Sequence, residues 1–158
     1  MIDKPDFLPL NKKYFKLMLV RRITFFLVLI VSAIVFYLVN KDKDIPFSVF
    51  VTSGVALFLF GLIYILLTRI IFNRKKYLVH DTYLSYKKGL LINQMTVVPF
   101  SRIQHIEIDE GPIERFFNLS TLSIYTAGDS GKDLKISGLK KDRAQEIKEL
   151  ITAYIKDE

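Results

Sequence analysis

The chain has no cysteine, no tryptophan and only two histidines. It also has two long apolar stretches without a charged residue. Without cysteine, disulfides, thiolate nucleophiles and thiolate metal ligands are excluded. His80 and His105 do not match the spacing of a zinc or two-histidine site. We therefore expect no metal and no cofactor.

The two uncharged stretches, 23–39 and 45–68, are 17 and 24 residues long. At about 1.5 Å per residue they would form helices of about 25 and 36 Å, and a bilayer core is about 30 Å thick. A cleaved signal peptide is the alternative for the first stretch. However, residues 40–43 offer no small-residue cleavage site, and a second apolar stretch follows at once. The sequence predicts a transmembrane hairpin over 23–76. A stripe of small residues, Ser48, Thr52 and Ala56, is expected to pack its helices together, and the alternative for this stripe is a dimer face.

Basic residues flank the hairpin on one side, whereas the short loop at 40–44 has two lysines balanced by two aspartates. Because cytoplasmic segments retain Lys and Arg, we expect two spans with both termini in the cytoplasm. The residues expected to contact the membrane surface are Arg21, Arg22, Arg69, Arg74, Lys75 and Lys76.

The net charge of +7 is unevenly distributed along the chain. Residues 1–76 contain 12 Lys or Arg against 4 Asp, a net charge of +8, while residues 77–158 have a net charge of −1. Nucleic-acid binding needs a basic face on the folded domain, so we expect no nucleic-acid partner. The predicted organisation is a basic cytoplasmic segment (1–22), the hairpin (23–76) and a cytoplasmic domain (77–158).

From Tyr77 onward apolar and polar residues alternate between frequent turn signals, which is typical of short antiparallel strands. The predicted strands are 77–79, 84–86, 90–98, 102–109, 119–126 and 132–137, with a hairpin turn at 128–131. In the strand 102–109, we expect Gln104, Ile106 and Ile108 to share one face. A helix capped by Asp142 should follow, with an apolar face of Ala144, Ile147, Leu150, Ile151, Tyr154 and Ile155. This order predicts a small, mainly-β barrel that the helix closes.

Three motifs in this domain carry a family resemblance: Pro99–Gln104, Gly111–Leu119 and Thr126–Gly128. With the hairpin, they resemble bacterial pleckstrin-homology-like (PH-like) membrane proteins of the YdbS type. The resemblance implies a PH-like barrel in a bacterial plasma membrane protein with no catalytic residues. It also implies a membrane protein partner with similar domains, or self-association. Family members often have glycine where Asn118 stands, so we expect a positive φ angle at Asn118.

Lys87, Lys88, Arg102 and Arg115 are the candidate residues for contact with a ligand or lipid headgroup. The alternative is that both arginines bind loop carbonyls or nearby carboxylates and that the lysine pair is solvated. No Walker motif and no nucleophile elbow is present, because Thr126 stands where the phosphate loop would need its first glycine. We therefore expect no enzyme.

The leading hypothesis is a non-enzymatic, membrane-anchored interaction module that docks a protein partner or self-assembles at the cytoplasmic face. Exposed strand edges and the groove beside the terminal helix are the expected docking surfaces. The first alternative is a sensor of anionic lipid or headgroups. The second is a small accessory subunit of a membrane transport complex, in which the hairpin is the functional part.

Overall fold

The computed structural model describes residues 6–40, 46–126 and 132–157. The described residues form two compact units, one with the residues up to Leu17 and from Ile70 onward, the other with Met18–Arg69. Residues 41–44 of the expected interhelical loop and the hairpin turn at 128–131 lie outside the described residues.

Two long helices, α1 (Lys12–Asn40) and α2 (Phe47–Arg74), form the predicted hairpin. Both are long and apolar enough to cross a membrane, with a mean hydropathy of 2.5 in the most apolar stretch of each. The two predicted helices are confirmed. Each is longer than its apolar run, since α1 begins well before Ile23 and α2 continues past Thr68.

Within Met18–Arg69 the helices pack antiparallel through aromatic rings. Phe26 covers Gly61, where an added Cβ would lie 2.7 Å from the ring, and the rings of Tyr37 and Phe50 are 4.3 Å apart. The predicted small-residue stripe was wrong, because aromatic residues and Gly61 form the contact instead. The three stripe residues, Ser48, Thr52 and Ala56, are exposed.

The other unit contains two antiparallel sheets. The first has the strands β1 (Leu8–Pro9), β2 (Lys76–Val79), β3 (Tyr83–Lys88) and β4 (Gln94–Pro99), in that order. The second has β5 (Ile103–Asp109), β6 (Leu119–Thr126) and β7 (Lys132–Lys140), in that order. A single 3-10 turn, Phe100–Arg102, joins the sheets, and Phe100 is completely buried. The described strands show no barrel closure, but the expected PH-like arrangement of two sheets and a terminal helix is confirmed.

A short helix, α3 (Pro112–Phe116), lies between β5 and β6. The terminal helix α4 (Lys141–Asp157) packs on the second sheet and on the 3-10 turn. Ala144, Ile147 and Ile151 are almost fully buried, as the spacing predicts. Two members of the predicted apolar face, Leu150 and Ile155, are instead more than 40 % exposed, at 44 % and 42 %. The helix also begins one residue before Asp142, which therefore lies in the first turn rather than at the cap.

An N-terminal segment that the sequence analysis left outside the domain packs into it. Leu8 and Pro9 pair with Tyr77 and Lys76 as the edge strand β1. The next turn begins α1, where the Asn11 side chain accepts a hydrogen bond from the Lys13 amide at 2.8 Å. The buried side chains of this segment are Leu10, Tyr14 and Leu17.

The N-terminal segment contacts β7 at Gly138. Gly138 has a φ of +85° and lies in a β-bulge, where the register shifts opposite Ser120 and Thr121. The Gly138 carbonyl accepts a hydrogen bond from the Asn11 amide at 3.2 Å. A Cβ at Gly138 would lie 2.2 Å from Cγ of Tyr14, so the ring packs directly on the glycine backbone. The membrane hairpin is thus inserted between the first and second strands of the domain.

Two local predictions in the sheets need correction. Residues 90–93 are a turn rather than the start of a strand, because β3 ends at Lys88 and β4 begins only at Gln94. In β5 a bulge at Gln104 breaks the alternation, so Ile103 and Ile106 are both buried while Gln104 is exposed. The expected positive φ at Asn118 is confirmed, at 54°.

Candidate functional site

The predicted lysine pair lies at the end of β3. Lys88 is exposed and pairs with Gln94 across the hairpin. Lys87 is half-buried, and its Nζ lies 3.8 Å from the centroid of the Phe7 ring. That cation–π contact orients Lys87 toward the N-terminal segment and leaves Lys88 as the solvent-facing cation.

The turn that follows, the β3–β4 tip (Gly89–Asn93), presents two aliphatic side chains to solvent. Leu91 is 94 % exposed and Ile92 is 82 % exposed. The Asn93 Oδ1 accepts a hydrogen bond from Nη1 of Arg74 at 3.1 Å. The tip therefore joins the basic residues that end α2 to a pair of exposed apolar side chains.

Lys75 and Lys76 follow Arg74 in the chain. The Lys75 Nζ lies 3.4 Å from the Tyr14 hydroxyl, above the same ring, while Lys76 begins β2 and is exposed. Burial raises the pKa of the neighbouring Tyr86 phenol, so it stays neutral, and Tyr14 adds to this effect. Of the three basic residues, Arg74 and Lys76 are exposed to solvent, whereas Lys75 is half-buried against Tyr14.

Arg102 and Arg115 lie on other elements. Arg102 ends the 3-10 turn between the sheets, and Arg115 lies on the short helix α3 (Pro112–Phe116); both are exposed. Arg115 lies close enough to Glu110 to help lower the pKa of that carboxyl group. Pro99, just before the 3-10 turn, pairs with Tyr83 at the end of β3 opposite to the lysine pair, so the four candidates do not form one cluster in this structure.

Of the three arginines at the hairpin, Arg22 has partners inside it. Its guanidinium lies 3.9 Å from the centroid of the Tyr64 ring and donates hydrogen bonds to the Tyr64 carbonyl and, at 2.8 Å, to the Thr68 hydroxyl. Thr68 is completely buried. Arg21 and Arg69 are exposed. Headgroup contact by these arginines stays a prediction, and Arg22 also holds the two helices together.

A groove beside α4 was expected from the sequence only in general terms, and its residues were not foreseen. It has a volume of about 570 Å³ and lies between Ile108 of β5 and one face of α4. The groove, called the α4 groove below, is lined by Ile108, Lys141, Asp142, Gln145, Glu146, Lys148 and Glu149. In the described part of the chain, β5 pairs with β6 alone, so its other edge is unpaired.

The side of the domain that contains this groove is acidic. The Lys141 Nζ is engaged by Glu110, 3.1 Å from its Oε1, and this hydrogen bond holds the Glu110 pKa below its ordinary value. On β5, Tyr125 donates to Glu107 at 2.6 Å and Ser123 donates to Asp109 at 3.1 Å. Together β5 and α4 contain six Asp or Glu residues and four Lys or Arg residues, and Arg143 is paired with Glu146 at 2.9 Å.

Three titratable residues of β5, His105, Glu107 and Asp109, are held by protein partners. The His105 Nε2 lies 3.3 Å from Glu107, which also accepts the Tyr125 hydroxyl. Within the described ranges no group of three His, Asp or Glu side chains has a metal-binding arrangement. These residues make a polar outer face of the second sheet.

Comparison with known proteins agrees with this architecture. A family model described as "Bacterial PH domain" matches residues 20–155, which include most of α1, all of α2 and most of the domain. The chain is also similar to the UPF0699 transmembrane protein YdbS of Bacillus subtilis (strain 168), with 33 % identity over 52 residues. That match spans a third of this chain and a third of the relative. No solved structure matches the chain.

Proposed function

Since the chain belongs to the bacterial PH domain family, we propose that it is a non-enzymatic, membrane-anchored module whose domain docks a protein partner at the cytoplasmic face of the plasma membrane. The two helices that are long and apolar enough to cross a membrane, and the similarity to a transmembrane protein, support the anchor. The basic residues on both flanks of the hairpin favour the cytoplasmic orientation.

The α4 groove carries the docking proposal. It is lined by Ile108 of β5, a strand with one unpaired edge in the described part of the chain, and an extended segment of another protein can add to such an edge as a further strand. Main-chain hydrogen bonds along the β5 edge would supply affinity, and the side chains of α4 would select the sequence.

Charge indicates the chemistry of the partner segment. Asp142, Glu146 and Glu149 line the groove with Lys141 and Lys148. Lys141 is paired with Glu110 and Glu146 with Arg143, which leaves Asp142 and Glu149 against Lys148. An anionic membrane surface is repelled by such a face, whereas a protein segment with Lys or Arg side chains is attracted. The proposed occupant is therefore an extended, basic segment of a protein.

Two matched charge reversals test this proposal in the full-length protein in its native membranes. A photo-crosslinking residue is placed at Gln145 in the groove, and Glu149→Lys is compared with Asp81→Lys. Both positions are exposed, and the two substitutions change the net charge equally, but Asp81 lies in the β2–β3 turn. We expect one protein to crosslink to the wild-type chain and the Asp81→Lys variant, with at least about a tenfold loss for Glu149→Lys.

Equal crosslinking in both variants would contradict the proposal. Crosslinks between two copies of this chain, lost in Glu149→Lys alone, would identify the partner as a second copy. Replacing the hairpin with an unrelated pair of helices distinguishes docking from the transport-subunit alternative. Crosslinking through the groove should survive that exchange, whereas a function carried by the hairpin should be lost.

A further inference from the structure

The β3–β4 tip is a shaped turn with an apolar end. Gly89 has a φ of +132°, and a Cβ there would lie 1.9 Å from the carbonyl oxygen of Ile92, so the backbone folds back on itself in a way that only glycine permits. The turn leaves Leu91 and Ile92 almost fully exposed, at 94 % and 82 %. Two adjacent aliphatic side chains at the end of a hairpin have much apolar area to bury against a partner.

Positive charge surrounds the tip without a carboxylate nearby in the chain. Lys88 is exposed on one side, and the Arg74 guanidinium is hydrogen-bonded to Asn93 on the other. Residues 82–106 contain no Asp or Glu at all. An apolar turn flanked by two cations complements an anionic lipid surface, where each Lys or Arg contributes about 1 kcal/mol to membrane binding.

The tip is tied to the end of a membrane-spanning helix. Arg74 is the last residue of α2, a helix long and apolar enough to cross a membrane, and it donates a hydrogen bond to Asn93 of the tip.

We propose that the β3–β4 tip is a second, non-spanning membrane contact, in which Leu91 and Ile92 enter the boundary between headgroups and acyl chains of an anionic leaflet. Lys88 and Arg74 contact the lipid phosphates at its rim. The cation–π contact of Lys87 with Phe7 braces the hairpin that carries the tip. This contact goes beyond protein docking in the α4 groove, and it uses a different sheet.

The absence of cysteine in the chain allows a direct test with single introduced thiols. The full-length protein, as Leu91→Cys, is labelled with an environment-sensitive nitrobenzoxadiazole probe and reconstituted into vesicles of phosphatidylcholine with phosphatidylglycerol. Thr82→Cys is the matched control, because Thr82 is exposed just before the other end of β3. It lies about 20 Å away at 3.3 Å per strand residue.

We expect lipids with a shallow nitroxide to quench the Leu91→Cys probe at least about threefold more than the Thr82→Cys probe. Adding Lys88→Glu, or replacing phosphatidylglycerol with phosphatidylcholine, should reduce that difference, because the cations then lose their counter-charge. The Ile92→Glu variant should abolish it. These side chains are exposed, so the substitutions leave the buried core unchanged.

Equal quenching of the two probes would overturn the proposal. So would quenching at Leu91→Cys that is unaffected by Ile92→Glu, because the tip would then gain nothing from its apolar pair. Quenching that persists unchanged with Lys88→Glu and in vesicles without anionic lipid would overturn the assigned role of the cations.

Discussion

The contact between Tyr14 and Gly138 makes the N-terminal segment part of the domain, and Gly138→Ala tests its energy. At a φ of +85° an alanine is strained by about 1–2 kcal/mol. Its Cβ would also lie 2.2 Å from the Tyr14 ring, and displacing a packed ring typically costs about 1–3 kcal/mol. We therefore expect a loss of about 2–5 kcal/mol, a large part of the stability of a small domain.

The measurement is thermal unfolding of the full-length protein in detergent, followed by circular dichroism of the β-sheet signal. At about 4 °C per kcal/mol for a domain of about 100 residues, a loss of this size should lower the Tm by about 8 °C or more. Gly54→Ala is the control, since a Cβ there has no atom within 4 Å and the Tm should hardly change.

A double-mutant cycle separates the two causes. In a Tyr14→Ala background the ring is absent, so Gly138→Ala should cost only the backbone strain of about 1–2 kcal/mol. An equal cost with and without the Tyr14 ring would refute the steric argument. A loss below about 1 kcal/mol in the wild-type background would refute the role of Gly138 altogether.

Three further outcomes are expected. When one cysteine is introduced into each membrane helix, Gly61→Ile should weaken disulfide formation between them, because its Cβ would lie 2.7 Å from an aromatic ring of α1. Gly54→Ile should not, because no atom lies within 4 Å of a Cβ at that position. Asn118→Gly should leave the unfolding free energy nearly unchanged while Asn118→Val lowers it by about 1–2 kcal/mol, since φ is 54° there. The Glu110 pKa is lowered by Lys141, so this pair stabilises the fold above the ordinary carboxyl pKa. The Tm gap between wild type and Lys141→Met should begin to shrink as the pH falls below that ordinary value of about 4 and should vanish only below the lowered pKa of Glu110.

The sequence predicted the elements that depend on a long, regular pattern. Two uncharged stretches indicated the membrane helices, and helical spacing placed Ala144, Ile147 and Ile151 in the core. The left-handed backbone at Asn118 was also predictable, because asparagine tolerates positive φ.

The errors arose where tertiary contacts override local pattern. A two-residue strand such as Leu8–Pro9 has too few residues for any period, and only its pairing with β2 reveals it. Leu91 and Ile92 extend an apolar run that favours a strand, but Gly89 turns the chain before them. The residues of the α4 groove could not be grouped from the sequence, because they come from a strand and a helix that meet only in the folded domain.

Inserting the hairpin between the first two strands also sets an order for biosynthesis. Leu8 is made long before its partner Tyr77, and Asn11 leaves the ribosome 127 residues before Gly138, whose carbonyl it binds. At about 5–20 residues per second this is a delay of about 6–25 s, during which the hairpin is translated and available to the insertion machinery. During this period the N-terminal segment has none of its partner residues in β2 and β7. Completion of the domain therefore has to follow translation of the whole hairpin.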